Sequence, residues 1–339
     1  MMRLLVTGGA GFIGSNFIRY LLSQSREFKV INLDKLTYAG NLENLAGLPG
    51  EPHHHFIKGD IADAPKVFQI LKGGVDAVVN FAAESHVDRS ILNSHPFIRS
   101  NVLGTQVLLE GVRRFKVSRF LHISTDEVYG PVLEGAVDES APLNPTSPYA
   151  ASKGAADLLV CSYSRTYEIP AMIARPSNNY GPYQHPEKFI PLFITNALSD
   201  LPLPIYGDGG NIRDWLHVED CCRAIALILL SGTIGEIYNI GGGCLKSNLK
   251  VAQAILERLD KPPSLLKFVA DRPGHDRRYS MDFGKMVREL NWRPLIDFND
   301  GLAATIKWYI DNKEWWIKIK KGEYKGYYRR QYIEREGKV

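Results

Sequence analysis

The run Leu4-Leu5-Val6-Thr7-Gly8-Gly9-Ala10-Gly11-Phe12-Ile13-Gly14 leaves an apolar strand through glycines 8, 11 and 14 and enters a helix that the spacing predicts from Phe12 to about Leu22. Glycine permits the tight turn and lets a diphosphate approach the backbone, while the first turn of the helix offers unpaired N–H groups and a favourable dipole. Asp34 ends the next strand, twenty residues after Gly14. A carboxylate there binds a ribose 2′-hydroxyl and repels a 2′-phosphate, which favours NAD over NADP. Asp60 and Ile61 follow the third strand, where they are placed to meet the adenine.

Outward from that turn, short β-type runs alternate with helical stretches: Leu4 to Thr7, Lys29 to Leu33, Phe56 to Lys58, Ala77 to Phe81, Phe120 to Ile123 and Ala171 to Ala174. Their near-continuous apolar character is that of strands covered by helices on both faces. The rhythm therefore predicts an α/β fold, a Rossmann-type doubly wound parallel sheet, with a smaller interwoven C-terminal lobe. Beyond about Arg175 the pattern loosens into Pro/Gly-rich segments between helices near Glu219 to Leu230, Asn248 to Leu259 and Phe298 to Asn312. The expected division is residues 1–175 for the cofactor, with the sheet completed from the second half, and 176–339 mainly for substrate.

With 45% hydrophobic and 23% charged residues among 339, the chain can bury a large core. A formal charge of +4 is too small to imply nucleic-acid binding. Lys318, Lys320, Lys321, Arg329 and Arg330 read as a solvated helix face. The longest apolar run, Ala224 to Leu230, is far short of the ~20 residues that span a membrane, and Met1 leads straight into a strand, so a cytoplasmic location is expected. Cys161, Cys221, Cys222 and Cys244 lack metal-ligand spacing and read as buried small apolar residues. His53, His54 and His55 enter a strand and point to alternate faces, so no metal site is expected.

The chemistry gathers where the fifth strand delivers Ser124-Thr125-Asp126-Glu127 and a helix beginning near Tyr149 carries Tyr149 and Lys153 four residues apart, on one face. A phenol is a poor base at neutral pH; a neighbouring ammonium and a positive nicotinamide ring would lower its pKa and let Tyr149 exchange a proton with a sugar hydroxyl. Beside it, Asp126 and Glu127 are adjacent carboxylates that repel each other's ionisation, which helps keep one of them neutral.

These features resemble the extended short-chain dehydrogenase/reductase superfamily, and within it the dTDP-glucose 4,6-dehydratase family. The resemblance is carried by Asp34 to Leu42 (DKLTYAGNL), Ala82 to Ser90 (AAESHVDRS), Ser124 to Gly130 (STDEVYG), Ser177 to Lys188 (SNNYGPYQHPEK), Arg213 to Asp220 (RDWLHVED) and Arg272 to Tyr279 (RPGHDRRY), and it spans nearly the whole chain. It implies oxidation of dTDP-glucose at C4, elimination of water across C5–C6 and return of the hydride to C6. Thr125, Asp126, Glu127, Tyr149 and Lys153 would be the catalytic residues. NAD would be held by Gly8, Gly11, Phe12, Ile13, Gly14, Asp34, Lys35, Leu36, Thr37, Asp60, Ile61, Phe81, Ala82, Ala83, Ser85, Ser100, Tyr149, Lys153 and Asn179. The nucleotide sugar would meet Ser85, His86, Thr125, Asn178, Lys188, Phe189, Pro204, Tyr206, Arg213, Asn248, Asp271, Arg272 and His275, with the cations neutralising the diphosphate. The resemblance also implies a homodimer through helices around Phe97 to Arg113 and Tyr149 to Tyr167, with Val102, Leu108, Leu109, Leu158 and Leu159 as apolar contacts or as residues facing the sheet. Cys244 to Ser247 is less polar than the family pattern, and His217 replaces a commoner Tyr. UDP-glucose 4,6-dehydration therefore stays open, as do, further off, a nucleotide-sugar epimerase or decarboxylase and a non-catalytic NAD sensor.

Overall fold

Runs too uniformly apolar to leave a wet face become the inner strands of a sheet. The structure is a computed structural model that describes residues 1–321 together with Gly326 and Tyr328. Its strands are β1 (Met2–Thr7), β2 (Phe28–Asp34), β3 (His54–Lys58), β4 (Ala77–Asn80), β5 (Arg119–Ile123), β6 (Ala171–Pro176), β7 (Asn178–Tyr180), β8 (Leu203–Tyr206), β9 (Ile212–His217), β10 (Ile237–Ile240), β11 (Leu245–Ser247) and β12 (Leu266–Val269). Seven of them form one parallel sheet in the order β10-β6-β5-β4-β1-β2-β3. From β1 the chain winds outward to β3, then returns to β4 on the other side of β1 and winds the opposite way. That reversal opens a crevice at the carboxyl ends of β1 and β4, where ligands of such sheets bind.

Alternation along β1 sends Leu4 and Val6 to one face and Leu5 to the other. On the first face Phe17 and Ile18 of the helix Phe12–Gln24 meet Ile225 and Leu229 of the helix Val218–Ser231. On the second, Leu5 and Val78 meet Leu108, Leu109 and Val112. A separate apolar centre, with Tyr180, Phe193, Trp215, Ile255, Leu302, Trp315 and Trp316, serves the smaller lobe, which carries a three-stranded sheet β11-β9-β7 and the parallel pair β12-β8. The six strands expected from sequence are present, and the seventh, β10, comes from the second half of the chain.

Some expectations are corrected. Phe97 to Arg113 is not one α-helix: a π-helical stretch, Ile98–Gly104, precedes the α-helix Thr105–Phe115. The stretch turns Asn101 inward, where its side chain accepts from the Glu84 amide and donates to the Glu84 carbonyl and to Ser152 Oγ. Of the two alternatives left open, Leu108 and Leu109 take the sheet-facing one, while Leu158 is 63% exposed. Cys221 and Cys222 are buried, but Cys161 and Cys244 are partly exposed. Lys320 is not on a solvated face; the helix Lys313–Lys321 lays Trp315 and Trp316 into the lobe's core and brings Lys320 Nζ to Thr195 Oγ1 and Asn196 Oδ1. Lys318 pairs with Glu43, and Arg329 and Arg330 lie outside the described residues. His53, His54 and His55 diverge toward the Phe28 carbonyl, Asn32 and Glu51 respectively. Among the described residues no helix is long and apolar enough to cross a membrane.

Candidate active site

Glycine is required at the crevice for steric reasons. Gly8 sits at φ +69°, and a Cβ on Gly14 would stand 2.3 Å from the Gly8 carbonyl oxygen. Asp34 is locked at the end of β2: Oδ2 accepts from the Ala10 amide at 2.9 Å and Oδ1 from the Leu36 amide at 2.7 Å. Burial raises its pKa while those two N–H groups oppose the rise. Asp60 pairs with Lys35 at 2.9 Å and lies 3.4 Å from Arg99. Burial works to raise the Asp60 pKa, but the Ala62 amide and these cations outweigh it and hold the carboxyl low. Lys35 and Arg99 thus both pair with Asp60 at the cleft's outer end. A bare glycine turn, a fixed carboxylate at the end of β2 and one cleft running from the glycines to Tyr149 and Lys153 fit NAD.

That cleft is lined by Gly8, Gly11, Phe12, Ile13, Gly14, Asp34, Lys35, Thr37, Asp60, Ile61, Phe81, Ala82, Ala83, Ser85, Ser100 and Asn179 of the expected cofactor residues, and it continues past Thr125, Asp126, Glu127, Tyr149, Lys153, Asn178 and Lys188. Leu36 contributes its backbone amide to Asp34 rather than a side chain to the wall. Glu84, Gln184, His185 and Glu187 also line it and were not expected from sequence.

At its inner end β5 stops in an ST-type turn, with Thr125 Oγ1 accepting from the Glu127 amide and donating to Asp126 Oδ1 at 3.2 Å. Ser147 caps the helix Pro148–Tyr167 by accepting from the Ala150 amide, with Pro148 at its first position, so Tyr149 and Lys153 fall on its buried face. Burial and the Glu127 charge push the Asp126 carboxyl up to about 8, and its Oδ2 is buried with no hydrogen-bond partner among the described residues. Glu127 is raised by burial, against the pull of Arg272, Arg213 and Lys188. The Lys153 amine is pushed down to about 8 by burial, with Asp157 opposing. The expected lowering of the Tyr149 phenol is not made by the protein alone. Burial and the carboxylates of Glu127, Asp126 and Asp157 raise it, a hydrogen bond with Thr125 opposes them, and Lys153 Nζ donates to the Ile123 carbonyl at 2.6 Å.

Behind this pair lies a network that sequence reading missed. Asp157 takes Arg175 Nε at 2.9 Å; Arg175 donates to the Tyr129 hydroxyl, which donates to Asn239 Oδ1 on β10. Toward the smaller lobe, Lys188 Nζ donates to the Ser85 carbonyl at 2.8 Å. Asp88 gathers Arg272 (3.2 Å) and the Tyr206 hydroxyl (3.1 Å). Arg213 lies 4.4 Å from the Tyr279 ring and donates to the Asp276 carbonyl, and His275 contacts Asp271 at 2.6 Å. His86 is buried near Glu187, Lys188 and Asp88. Phe189 packs on Phe193 and Trp215, Pro204 is buried in β8, and Asn248 opens the helix Asn248–Arg258; these three, like His86, Tyr206, Arg213, Asp271, Arg272 and His275, stand outside the cleft's lining.

Comparisons with known proteins agree with this geometry. A family model described as GDP-mannose 4,6 dehydratase matches residues 5–305. A dTDP-glucose 4,6-dehydratase of Actinoplanes sp. is 51% identical over 320 residues, covering 93% of this chain and 100% of the relative. The crystal structure of DesIV, a dTDP-glucose 4,6-dehydratase from Streptomyces venezuelae with NAD and TYD bound, superposes with a TM-score of 0.92 at 53% identity, covering 94% of this chain and 100% of that one. A UDP-glucose 4-epimerase of Thermotoga maritima, with UDP-glucose, shares the fold at a TM-score of 0.85 and 28% identity, covering 92% of this chain and 100% of that one.

Proposed function

Because this chain belongs to the GDP-mannose 4,6 dehydratase family, we infer that it converts dTDP-glucose to dTDP-4-keto-6-deoxyglucose and water, using NAD without net consumption. One observation carries the reading: Asp126 and Glu127 stand side by side at the end of β5, in one cleft with Tyr149, and Asp126 presents a carboxyl held neutral near pH 7. NAD in the cleft supplies a two-electron acceptor for C4 and, later, the same electrons for C6.

The protein's part is proton traffic. Tyr149, bonded to Thr125, takes the C4 hydroxyl proton, with the Lys153 ammonium offsetting the charge that develops on the phenol. The C4 ketone acidifies the C5 proton, which Glu127 removes. Asp126 gives its proton to the departing C6 hydroxyl; Oδ1 accepts from Thr125, which leaves Oδ2, without a hydrogen-bond partner among the described residues, to carry that proton. Lys188, Arg213 and Arg272 form the cationic side of the lobe and neutralise the diphosphate. We assign residues 1–175 to the cofactor and 176–339 mainly to the nucleotide sugar. Incubation with dTDP-glucose and with UDP-glucose, followed by product mass, tests the reading. Loss of one water from dTDP-glucose over many turnovers is expected; a product of unchanged mass would indicate an epimerase, and faster turnover of UDP-glucose would reassign the base.

The chain is further proposed to work as a homodimer in the cytoplasm. Ile98, Leu103 and Leu158 are 52%, 44% and 63% exposed on the two helical stretches expected to pair, an apolar surface whose removal from water favours association. The four cysteines are free thiols, as suits a reducing compartment. Light scattering at micromolar concentration should give twice the chain mass, and Leu158→Arg should give the monomer; a monomeric parent protein would reject the dimer.

A further inference from the structure

His122 is wholly buried on β5, directly beneath the redox pair, and the mechanism above makes no use of it. Its tautomer follows from a chain of hydrogen bonds that begins and ends on backbone. The Ala82 amide donates to Thr7 Oγ1, so the Thr7 hydroxyl turns its proton to Asn80 Oδ1 at 2.6 Å. At the other end Thr105 Oγ1 donates to the Asn101 carbonyl at 2.7 Å and must accept from Asn80 Nδ2. The Asn80 amide is thereby oriented with Nδ2 toward His122 Nδ1, 3.1 Å away. Nδ1 is an acceptor, so in the neutral ring the proton sits on Nε2. Nε2 faces Asp157 Oδ1 at 3.7 Å, longer than a hydrogen bond, and Lys153 Nζ at 3.4 Å; the Asp157 carboxylate also serves Arg175 and the Ser124 hydroxyl.

We propose that His122 is a positioning residue for the Tyr149–Lys153 pair: with its proton on Nε2 it donates toward Asp157, so that Lys153, anchored through the Ile123 carbonyl, keeps its remaining N–H bonds for the cofactor ribose and the phenol. An Nε2 lone pair would instead compete for the ammonium and turn it away from the cleft. The surroundings support a neutral ring. Lys153 and Asp157 face it from the helix Pro148–Tyr167 and Arg175 from β6, Asn80 reaches it from β4 with Thr7 and Thr105 behind, and Tyr129, Asp126 and Glu127 stand on the turn after β5. Burial, then the Lys153 and Arg175 charges, hold the imidazole well below its ordinary pKa.

The inference rests on Tyr149 and Lys153 being the redox pair, and its test separates the two ideas. Neutron diffraction from perdeuterated crystals of the NAD complex should show deuterium on Nε2 of His122 and none on Nδ1; deuterium on Nδ1, or on both, overturns the proposal whatever the activity. His122→Phe keeps the ring's bulk and removes the donor, freeing Asp157 to draw the ammonium back. The single-turnover rate of nicotinamide reduction should then fall about tenfold and its alkaline limb should rise by about one pH unit. His122→Gln, which can return an amide N–H to Asp157, should restore the limb. A limb unmoved in the folded Phe variant overturns the proposal, and if that variant does not fold the neutron map decides alone. A parent enzyme that binds NAD but never reduces it with a nucleotide sugar would defeat the redox reading and leave the tautomer result intact.

Discussion

Tyr149→Phe should lower turnover by about 10³- to 10⁴-fold while leaving NAD bound, the largest loss expected from a single hydroxyl in this protein. The phenyl ring keeps its place, because Tyr149 packs edge-on against Phe97 and its backbone amide donates to Ser90 Oγ. What is lost is the atom that accepts the C4 hydroxyl proton, so the sugar cannot be oxidised and neither reduced nicotinamide nor product should form in a single turnover. The parent reaction should fall off on both sides, on the acid side because the phenol is held protonated and on the alkaline side because the supporting cation is lost. Burial, then the Glu127 charge, hold the phenol protonated, and ionisation depends on a cation that is present below about pH 8, where Lys153 is charged, and is lost as pH rises through that value. A loss smaller than tenfold, followed by absorbance of the reduced cofactor, would remove Tyr149 from the role of base.

The acidic pair should divide the second half of the reaction into two separable steps. Glu127→Gln is expected to permit oxidation at C4 but to suppress exchange of the C5 hydrogen with deuterated water by about 10²-fold or more, so that reduced cofactor and a 4-keto sugar accumulate. Asp126→Asn should keep C5 exchange and slow water loss by about 10²-fold, since an amide cannot protonate a leaving hydroxyl. Asp126 has its pKa raised to about 8, so the proton it donates is present below that pH and disappears as pH rises through it. Water loss in the parent should therefore decline above about pH 8. Glu127 must be ionised and is itself raised by burial, which supplies an acid limb; the two limbs belong to the coupled pair. Rapid quench in deuterated water, with product mass and cofactor absorbance followed together, checks both variants. Undiminished C5 exchange in Glu127→Gln would show that another group is the base.

How far these assignments could be read from the chain depends on the range of the interaction. Gly8, Gly11 and Gly14 answer a local backbone demand, and Tyr149 with Lys153 answers the helical period, so both are visible in a few adjacent letters. Asp126 and Glu127 are adjacent, and their mutual repulsion follows from adjacency alone. The Asp157–Arg175–Tyr129–Asn239 chain joins residues from a helix, two strands and a turn, and no periodicity announces it. Leu108 and Leu109 show the opposite difficulty. An apolar residue on a helix has the same letter whether it meets the sheet or a partner, and only the fold shows that these two are spent on the sheet while Leu158 is not. The π-helical stretch at Ile98–Gly104 escaped for a similar reason, because its widening serves Asn101's contact with the Glu84 backbone across the cleft.

Strand β10 closes the sheet beside β6, pairing Ile237–Ile240 with Ile173–Pro176. During synthesis the N-terminal units can fold as they emerge, but β6 then waits, its outer rim of amide and carbonyl groups unsatisfied, until about sixty more residues have left the ribosome. A bare parallel rim of that kind is a template for pairing with other chains. The nascent enzyme is thus most prone to aggregate in that interval, and a fragment cut near Arg175 would inherit the exposed rim permanently.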